Sequence, residues 1–354
     1  MILVLNAGSS SLKIELFDQG LEPVVSGAVT NVGAQGELKL GESRQDVQTA
    51  DHAEALQLML EALEARGHPI SALDAAAHRV VHGGTILTQP ARLTPSVLRT
   101  IESVIPLAPL HNPNNLAGIY ALQATAPDLP QYCSFGTAFH ATNPDVATRY
   151  AIPQTQHDAG IRRYGFHGLS YANMVADFGD ALPHRLMAFH LGNGASLCAI
   201  LDGKSYATSM GYSPLSGLTM GTRSGDIDGA AVLRMSQAFG EEETDRLLNN
   251  ASGLKALAGD NNMKTLLSRD DEAAKFAVEH FCYWAARHAG SAVVAMGGLD
   301  AVAFTGGIGE NAAPIRDRIM QHLSFLGDVP VHVIMADEEK QIARDAMALM
   351  AEGR

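Results

Sequence analysis

Cysteine is scarce in this chain: its 354 residues include three, Cys133, Cys198 and Cys282, widely spaced and in no CxxC pairing. That excludes a disulfide framework and a thiolate metal site, and it fits a reducing cytoplasm. Basic residues are also few, 25 against 38 acidic, for a formal net charge of −13. A surface of that sign repels nucleic acid and anionic membranes, so neither is expected as a partner, and any anionic ligand must be gripped by local basic groups. There is no long hydrophobic run. The apolar start is interrupted by Asn6, Lys13, Glu15 and Asp18 and reads as neither a signal peptide nor a membrane span. The two commonest phosphate loops, GxxxxGK[ST] and GxGxxG, are missing, as are HExxH and paired-Asp metal loops.

What is present is enough apolar material for two cores, 46% of the residues. LVLNAGSSSLKIELFD, residues 3–18, reads as strand, tight turn and strand, with Gly8 permitting the turn, Ser9, Ser10 and Ser11 offering donors suited to phosphate, and Lys13 adding a positive charge. A constant offset of 185 sets Ser11-Leu12 against Ser196-Leu197 and Leu16 against Leu201, and AFHLGNGASLCAILDG from Ala188 repeats the same device. The chain therefore reads as a duplicated domain. Helices are expected near 51–66, 112–124, 227–238, 272–296 and 336–350, and strands near 73–81, 104–110 and 300–305. Their alternation points to α/β layers.

Three Gly-rich turns follow apolar strands, at 6–11, 192–196 and 306–311. One such turn is ordinarily structural, whereas three can grip a polyphosphate from several sides. Arg79 lies between His78 and His82, and Arg223 lies in MGTRSGDID; each suits either a domain-stabilising ion pair or a two-pronged clamp on carboxylate or phosphate. His111 in PLHNP and His167 in YGFHG sit at strand or loop ends beside apolar residues, where a lone histidine is usually a satisfied buried one. Protein ligands for a metal are few, so a metal would arrive with phosphate, as magnesium does; Asn6 and the pair Glu338-Glu339 are the candidates, the pair also being a normal helix start.

NAGSSSLK, HRVVHGG, APLHNP, TAFHAT, RRYGFHG, HLGNGAS, TSMGYSPLSGLTMGTRSGDID, TGGIGEN and EEKQIARD, in that order along the chain, resemble the acetate kinase family. The resemblance implies a duplicated actin-like ATPase (ribonuclease H-like) α/β fold, with two domains and a cleft between them. The first domain would span residues 1–145, completed by a C-terminal helix at about 336–354, and the second 146–335. It implies ATP as phosphoryl donor, Mg2+ or Mn2+, acetate as acceptor, acetyl phosphate and ADP as products, and a homodimer. Carried over residue by residue, it puts the metal on Asn6 and Glu338. Arg79, Val81, Leu110, His111 and Pro214 would form the acetate pocket. The transferring phosphoryl group would meet His167 and Arg223, with Arg79 also catalytic. The nucleotide would lie along Ser10, Lys13, His190, Leu191, Gly192, Asn193, Gly194, Asn262, Met263, Lys264, Gly307, Ile308, Gly309, Glu310 and Asn311.

Two departures stand out. Gly136 in FGTAFH occupies the place of a family Asp regarded as catalytic, and Asn262-Met263-Lys264 replaces an acid and an arginine near the nucleotide. The alternatives are a propionate kinase, which the branched Val81 disfavours by shortening the pocket, and a catalytically weak nucleotide-binding or regulatory homologue. A sugar kinase would need more polar side chains around Arg79 to read many hydroxyls.

Overall fold

The computed structural model describes residues 1–353, which cluster into two compact units: Met1–Phe139 with the segment from Asp337 onward, and His140–Ala336. The first unit holds one sheet of eight strands, β1 (Ile2–Ala7), β2 (Ser11–Phe17), β3 (Pro23–Thr30), β4 (Gln35–Leu40), β5 (Ser43–Gln48), β6 (Ala75–Val80), β7 (Ala91–Arg92) and β8 (Gln131–Phe135), in the order β5-β4-β3-β2-β1-β6-β8-β7. The second holds β9 (Arg185–Leu191), β10 (Ala195–Leu201), β11 (Lys204–Thr208), β12 (Ala301–Thr305) and β13 (Val331–Val333), in the order β11-β10-β9-β12-β13.

The duplication is visible in the pairing. In each unit a first strand pairs antiparallel with the second and parallel with a later one: β1 with β2 and β6, β9 with β10 and β12. A third antiparallel strand (β3, β11) and a further parallel strand (β8, β13) complete each set. The hairpin loops differ, residues 8–11 in one and 192–194 in the other, so a single offset cannot superpose both hairpins.

Burial explains the strand sequences. Ile2, Leu3, Val4 and Leu5 are all essentially inaccessible because both faces of β1 are covered, and such a strand reads as an unbroken apolar run. One cover is the helix Asn112–Thr125, which packs on β1 and β6; beside it the helix His52–Glu64 covers β2, β3 and β4, burying Leu56, Met59, Leu60 and Leu63, and is started by Asp51, whose carboxylate accepts from the amides of Ala53 and Glu54. The closing helix Glu338–Ala351 packs on β1, β6 and β8, burying Ile342, Ala343 and Ala346. In the second unit Phe189 and Phe304 stack at 4.9 Å, and the long helix Glu272–Met296 presents Ala277, Ala285 and Ala289, small enough to lie close to the sheet.

Two local expectations are corrected, and a third stretch, given no assignment above, takes strand form. Residues 104–110 are not a strand but a 3-10 turn, Ile105–Leu107, because Pro106 and Pro109 lack the N–H groups a ladder requires. Residues 306–311 are a short helix, Gly306–Asn311, rather than an open turn. Residues 23–48, weakly alternating and half exposed, form β3, β4 and β5, which extend the first sheet.

Gly306 makes the strand-to-helix step possible: it sits at φ +79°, and a Cβ there would lie 2.7 Å from the Leu191 carbonyl oxygen. Gly306→Ala is therefore expected to destabilise the protein by about 1–3 kcal/mol, read from the midpoint of urea unfolding. A midpoint equal to the parent's would contradict this.

Candidate active site

In the first unit the polar face of β2 carries Ser11, Lys13 and Glu15 at alternate positions, and Lys13 lies directly opposite Asn6 on β1. The turn between them spends its own polar groups. The Gly8 amide donates to the Ser11 carbonyl (2.8 Å), the Gly8 carbonyl meets His52 Nε2 (2.7 Å), and the Ser10 carbonyl accepts from Val32 (3.0 Å).

The head of the closing helix meets this face. Its cap is Asp337, which accepts from the Lys340 amide. Asn6 Nδ2 donates to Glu339 Oε1 (3.2 Å), while Glu338 Oε2 accepts from Arg79 Nε (2.8 Å). Glu15, Asp337 and Glu339 bring carboxylate oxygens within 4.8 Å of one another, and burial together with the Asp337 and Glu339 charges pushes Glu15 up to about 7. Hard oxygen donors crowded in this way suit magnesium, and the like charges are what a bound cation relieves. Of the two acids singled out in the sequence, Glu339 faces Asn6 and Glu338 is committed to Arg79. Glu15 and Asp337 escaped notice, although the two-residue spacing of Lys13 and Glu15 signals a shared strand face.

Arg79 lies on β6 opposite Ser134 of β8 and makes no other hydrogen bond among the described residues, so its terminal nitrogens are available to a ligand. Its flanking histidines are not cationic: burial pushes both His78 and His82 down to about 4. Asn115, also overlooked, ties the ends of the two strands that carry Asn6 and Arg79. Its side chain donates to the Ala7 carbonyl (2.8 Å) and accepts from the Val81 amide (3.0 Å). Asn112 does the same for His82, and the NPNN run at the helix start was the available signal. Val81 is buried, Leu110 is exposed, and His111 stands at the start of the helix Asn112–Thr125. Gly136 follows β8 and donates to the Val80 carbonyl (2.9 Å), and a Cβ on it would lie only 3.0 Å from the Val81 carbonyl oxygen.

In the second unit His167 takes the left-handed conformation (φ +58°) that starts the helix Gly168–Phe178. Its Nδ1 meets Ser196 Oγ (2.8 Å), which in turn bonds the Tyr171 hydroxyl, and its ring stacks on His190 at 4.2 Å. His190 is held by Ser170 (2.9 Å). Gly194 marks the convergence: a Cβ there would lie 3.3 Å from His167 Nε2 and 3.4 Å from Arg223 Nη1. Arg223 donates to the Pro214 carbonyl (3.2 Å) and has no carboxylate partner among the described residues, although burial lowers its proton affinity. A guanidinium keeps its charge regardless, so this is a half-buried cation suited to meet an anion.

Beside it is a cavity of about 750 Å³, lined by Gly192 and Asn193 of the second hairpin, by Asn262, Met263 and Lys264, and by Gly307, Ile308 and Asn311. Asn261, Leu267, Ala312 and Pro314, which sequence reasoning passed over, complete the wall. Leu191 is buried beneath it, Gly309 packs on Phe304, and Glu310 turns back to accept from the Gly306 and Ala336 amides. Asn262 caps the helix Met263–Ser268 through the Lys264 and Thr265 amides.

The carboxylate cluster has a pH signature. Glu15 keeps a proton in the folded state at pH values where the unfolded chain has lost it, so stability falls as pH rises from about 4.5 to about 7. Glu15→Gln is expected to be more stable than the parent near pH 8 without divalent cations, by on the order of 1 kcal/mol after solvent screening. The advantage should vanish below about pH 4.5, as urea titrations at both ends will report.

The sequence model of the acetokinase family matches residues 1–348. An acetate kinase of Streptomyces coelicolor is 40% identical over 395 residues, covering 99% of this chain and 97% of that one. The crystal structure of Porphyromonas gingivalis acetate kinase superposes with a TM-score of 0.92 at 33% identity, covering 99% of each chain. A propionate kinase from Francisella tularensis gives 0.91 at 35%, covering 97% of this chain and 98% of that one. The fold is the duplicated actin-like one, and the chain is a member of the acetokinase family of phosphotransferases.

Proposed function

We propose that this protein is an acetate kinase, transferring the terminal phosphoryl group of ATP reversibly to the carboxylate of acetate to give acetyl phosphate and ADP. The observation that carries the reading is Arg223, a half-buried cation with no carboxylate partner among the described residues, converging with His167 on Gly194 in the same unit as a cavity within the usual size range of small-ligand sites. Such an arrangement neutralises charge on the equatorial oxygens of a transferring phosphoryl group, which is most of what this chemistry asks of a protein. Arg79, oriented by Glu338, clamps the acceptor carboxylate with its terminal nitrogens. That carboxylate is ionised at neutral pH, so no general base is required.

Asn6, Glu15, Asp337 and Glu339 would hold magnesium, which when bound supplies positive charge to the nucleotide phosphates. A homodimer is supported by apolar side chains left exposed on the second unit, among them Phe276, Tyr283 and Val294 on one helix, and sedimentation as a species of one chain mass would overturn it. Three buried free cysteines agree with a reducing cytoplasm, and among the described residues no helix is long and apolar enough to cross a membrane.

Gly136 supports a further point within this reading, slowed turnover, because it leaves no carboxylate beside the Val81 carbonyl where relatives are expected to carry one. Gly136→Asp should raise kcat for acetyl phosphate formation at least about ten-fold, after a small shift of the Val81 backbone, and Arg223→Ala should lower it about 100-fold with little change in KM for ATP. Equal rates for Gly136→Asp and parent would sink the slowed-turnover idea. Nucleotide binding without turnover in either would favour the second reading, a binding or regulatory homologue.

Val81, buried and two residues after Arg79, favours acetate over propionate. One methylene is worth about 1–3 kcal/mol in such a pocket, so kcat/KM for acetate should exceed that for propionate by roughly 10-fold or more. The reverse ratio would make the protein a propionate kinase.

A further inference from the structure

The second unit contains another cavity, of about 400 Å³, lined by none of the residues assigned above to phosphoryl transfer. Its wall combines a cation, an anion and unsatisfied acceptors with apolar surface. Arg163 spends Nη1 on the Ser209 and Met210 carbonyls and lies over the Tyr150 ring, while its Nε and Nη2 make no hydrogen bond among the described residues. Asp226 is split in the same way. Oδ1 accepts from Ser216 and the Gly217 amide (2.7 Å each), and Oδ2 is 3.4 Å from His288 Nε2 without hydrogen-bond geometry.

Two buried polar atoms on this wall, Thr208 Oγ1 and His288 Nε2, make no hydrogen bond among the described residues. Thr208 is nine-tenths buried. Burial lowers the proton affinity of His288 although the Asp226 charge opposes it, and in the tautomer that carries its proton on Nδ1 the ring presents Nε2 as an acceptor beside Asp226 Oδ2. Buried groups left in this state cost free energy that a ligand can recover. An ammonium group has three N–H bonds, one for each of Asp226 Oδ2, His288 Nε2 and Thr208 Oγ1. A carboxylate answers the unspent donors of Arg163. Leu197 and Ala292 contribute apolar wall in the same cavity.

From this complementarity we propose that the cavity is a binding site for a free α-amino acid with a small apolar side chain. The assignment is independent of the phosphoryl-transfer reading. Occupancy also reaches the loop that carries Arg223, because the carboxylate that meets the ammonium is the one that holds Ser216 and Gly217 in place.

The test uses the full chain and the twenty common L-amino acids, each screened by thermal unfolding and then by calorimetric titration, with the matching simple carboxylate and simple amine as controls. At least one apolar amino acid should raise the melting temperature and bind at least ten-fold more tightly than either control. Ala292→Leu, which fills the cavity, and Thr208→Val, which removes one ammonium partner, should each weaken that binding at least ten-fold. Thr208→Val should also unfold no earlier than the parent without ligand, since it deletes an unsatisfied buried hydroxyl, and so it answers even if Ala292→Leu fails to fold. Protection by none of the twenty, binding undiminished in Thr208→Val, or a control carboxylate binding as tightly as the amino acid would each overturn the proposal.

Discussion

A guanidinium cannot escape desolvation by giving up its proton, and the second unit is organised around one that is half-buried with no carboxylate partner among the described residues. Arg223 is held by a backbone carbonyl on a loop that is itself pinned: the Gly221 amide donates to the Asn193 carbonyl, and the Met220 amide to the carbonyl of Arg223. Gly194 and Gly221 keep side chains out of its way, since a Cβ on Gly221 would collide with Asn193. The stacked pair His167 and His190, the Ser196–Tyr171 brace and the left-handed turn at His167 all fix donors near the same point. The unit accepts strain and an uncompensated charge so that an anion meets preorganised partners.

The first unit solves the complementary problem with the same strand plan. Here the excess is negative, three carboxylates and an amide gathered where the closing helix begins, with one arginine held in place by a fourth acid. Strand ends in a parallel sheet are where such groups can be brought together, because neighbouring strands finish side by side and deliver their next residues to one edge. Asn115 keeps the two finishing strands in step by bonding the last carbonyl of β1 and the amide after β6.

Much of this is legible in the chain itself, for identifiable reasons. Each hairpin announces itself because its first strand, covered on both faces, is a nearly unbroken apolar run that ends in a glycine-containing turn. The long helix is legible from alanines and aromatics at helical spacing, and its bounds Glu272–Met296 are those read from sequence. Legibility fails where one signal has two causes. VIPLAPL is apolar enough for a strand, but its prolines forbid one; GGIGEN has the composition of a turn, yet a single left-handed glycine is enough to launch a helix. Adjacent acids on a helix point in directions about 100° apart, so nothing in the string EE tells which reaches Asn6 and which reaches Arg79. Cavities, and the unsatisfied atoms within them, arise from segments distant in sequence and leave no local mark.

The bond between Arg79 and Glu338 joins residues 259 positions apart, and the helix it anchors covers β1, β6 and β8. On the ribosome, chain growth delivers the whole of His140–Ala336 before that helix exists. The second unit, made of one uninterrupted stretch, has everything it needs to fold as it emerges. The first, although synthesised earlier, must wait with one face of its sheet uncovered until the helix Glu338–Ala351 has emerged. The order of synthesis and the order of completion are therefore reversed, and the exposed face of β1 is the surface that a chaperone would have to guard in the interval.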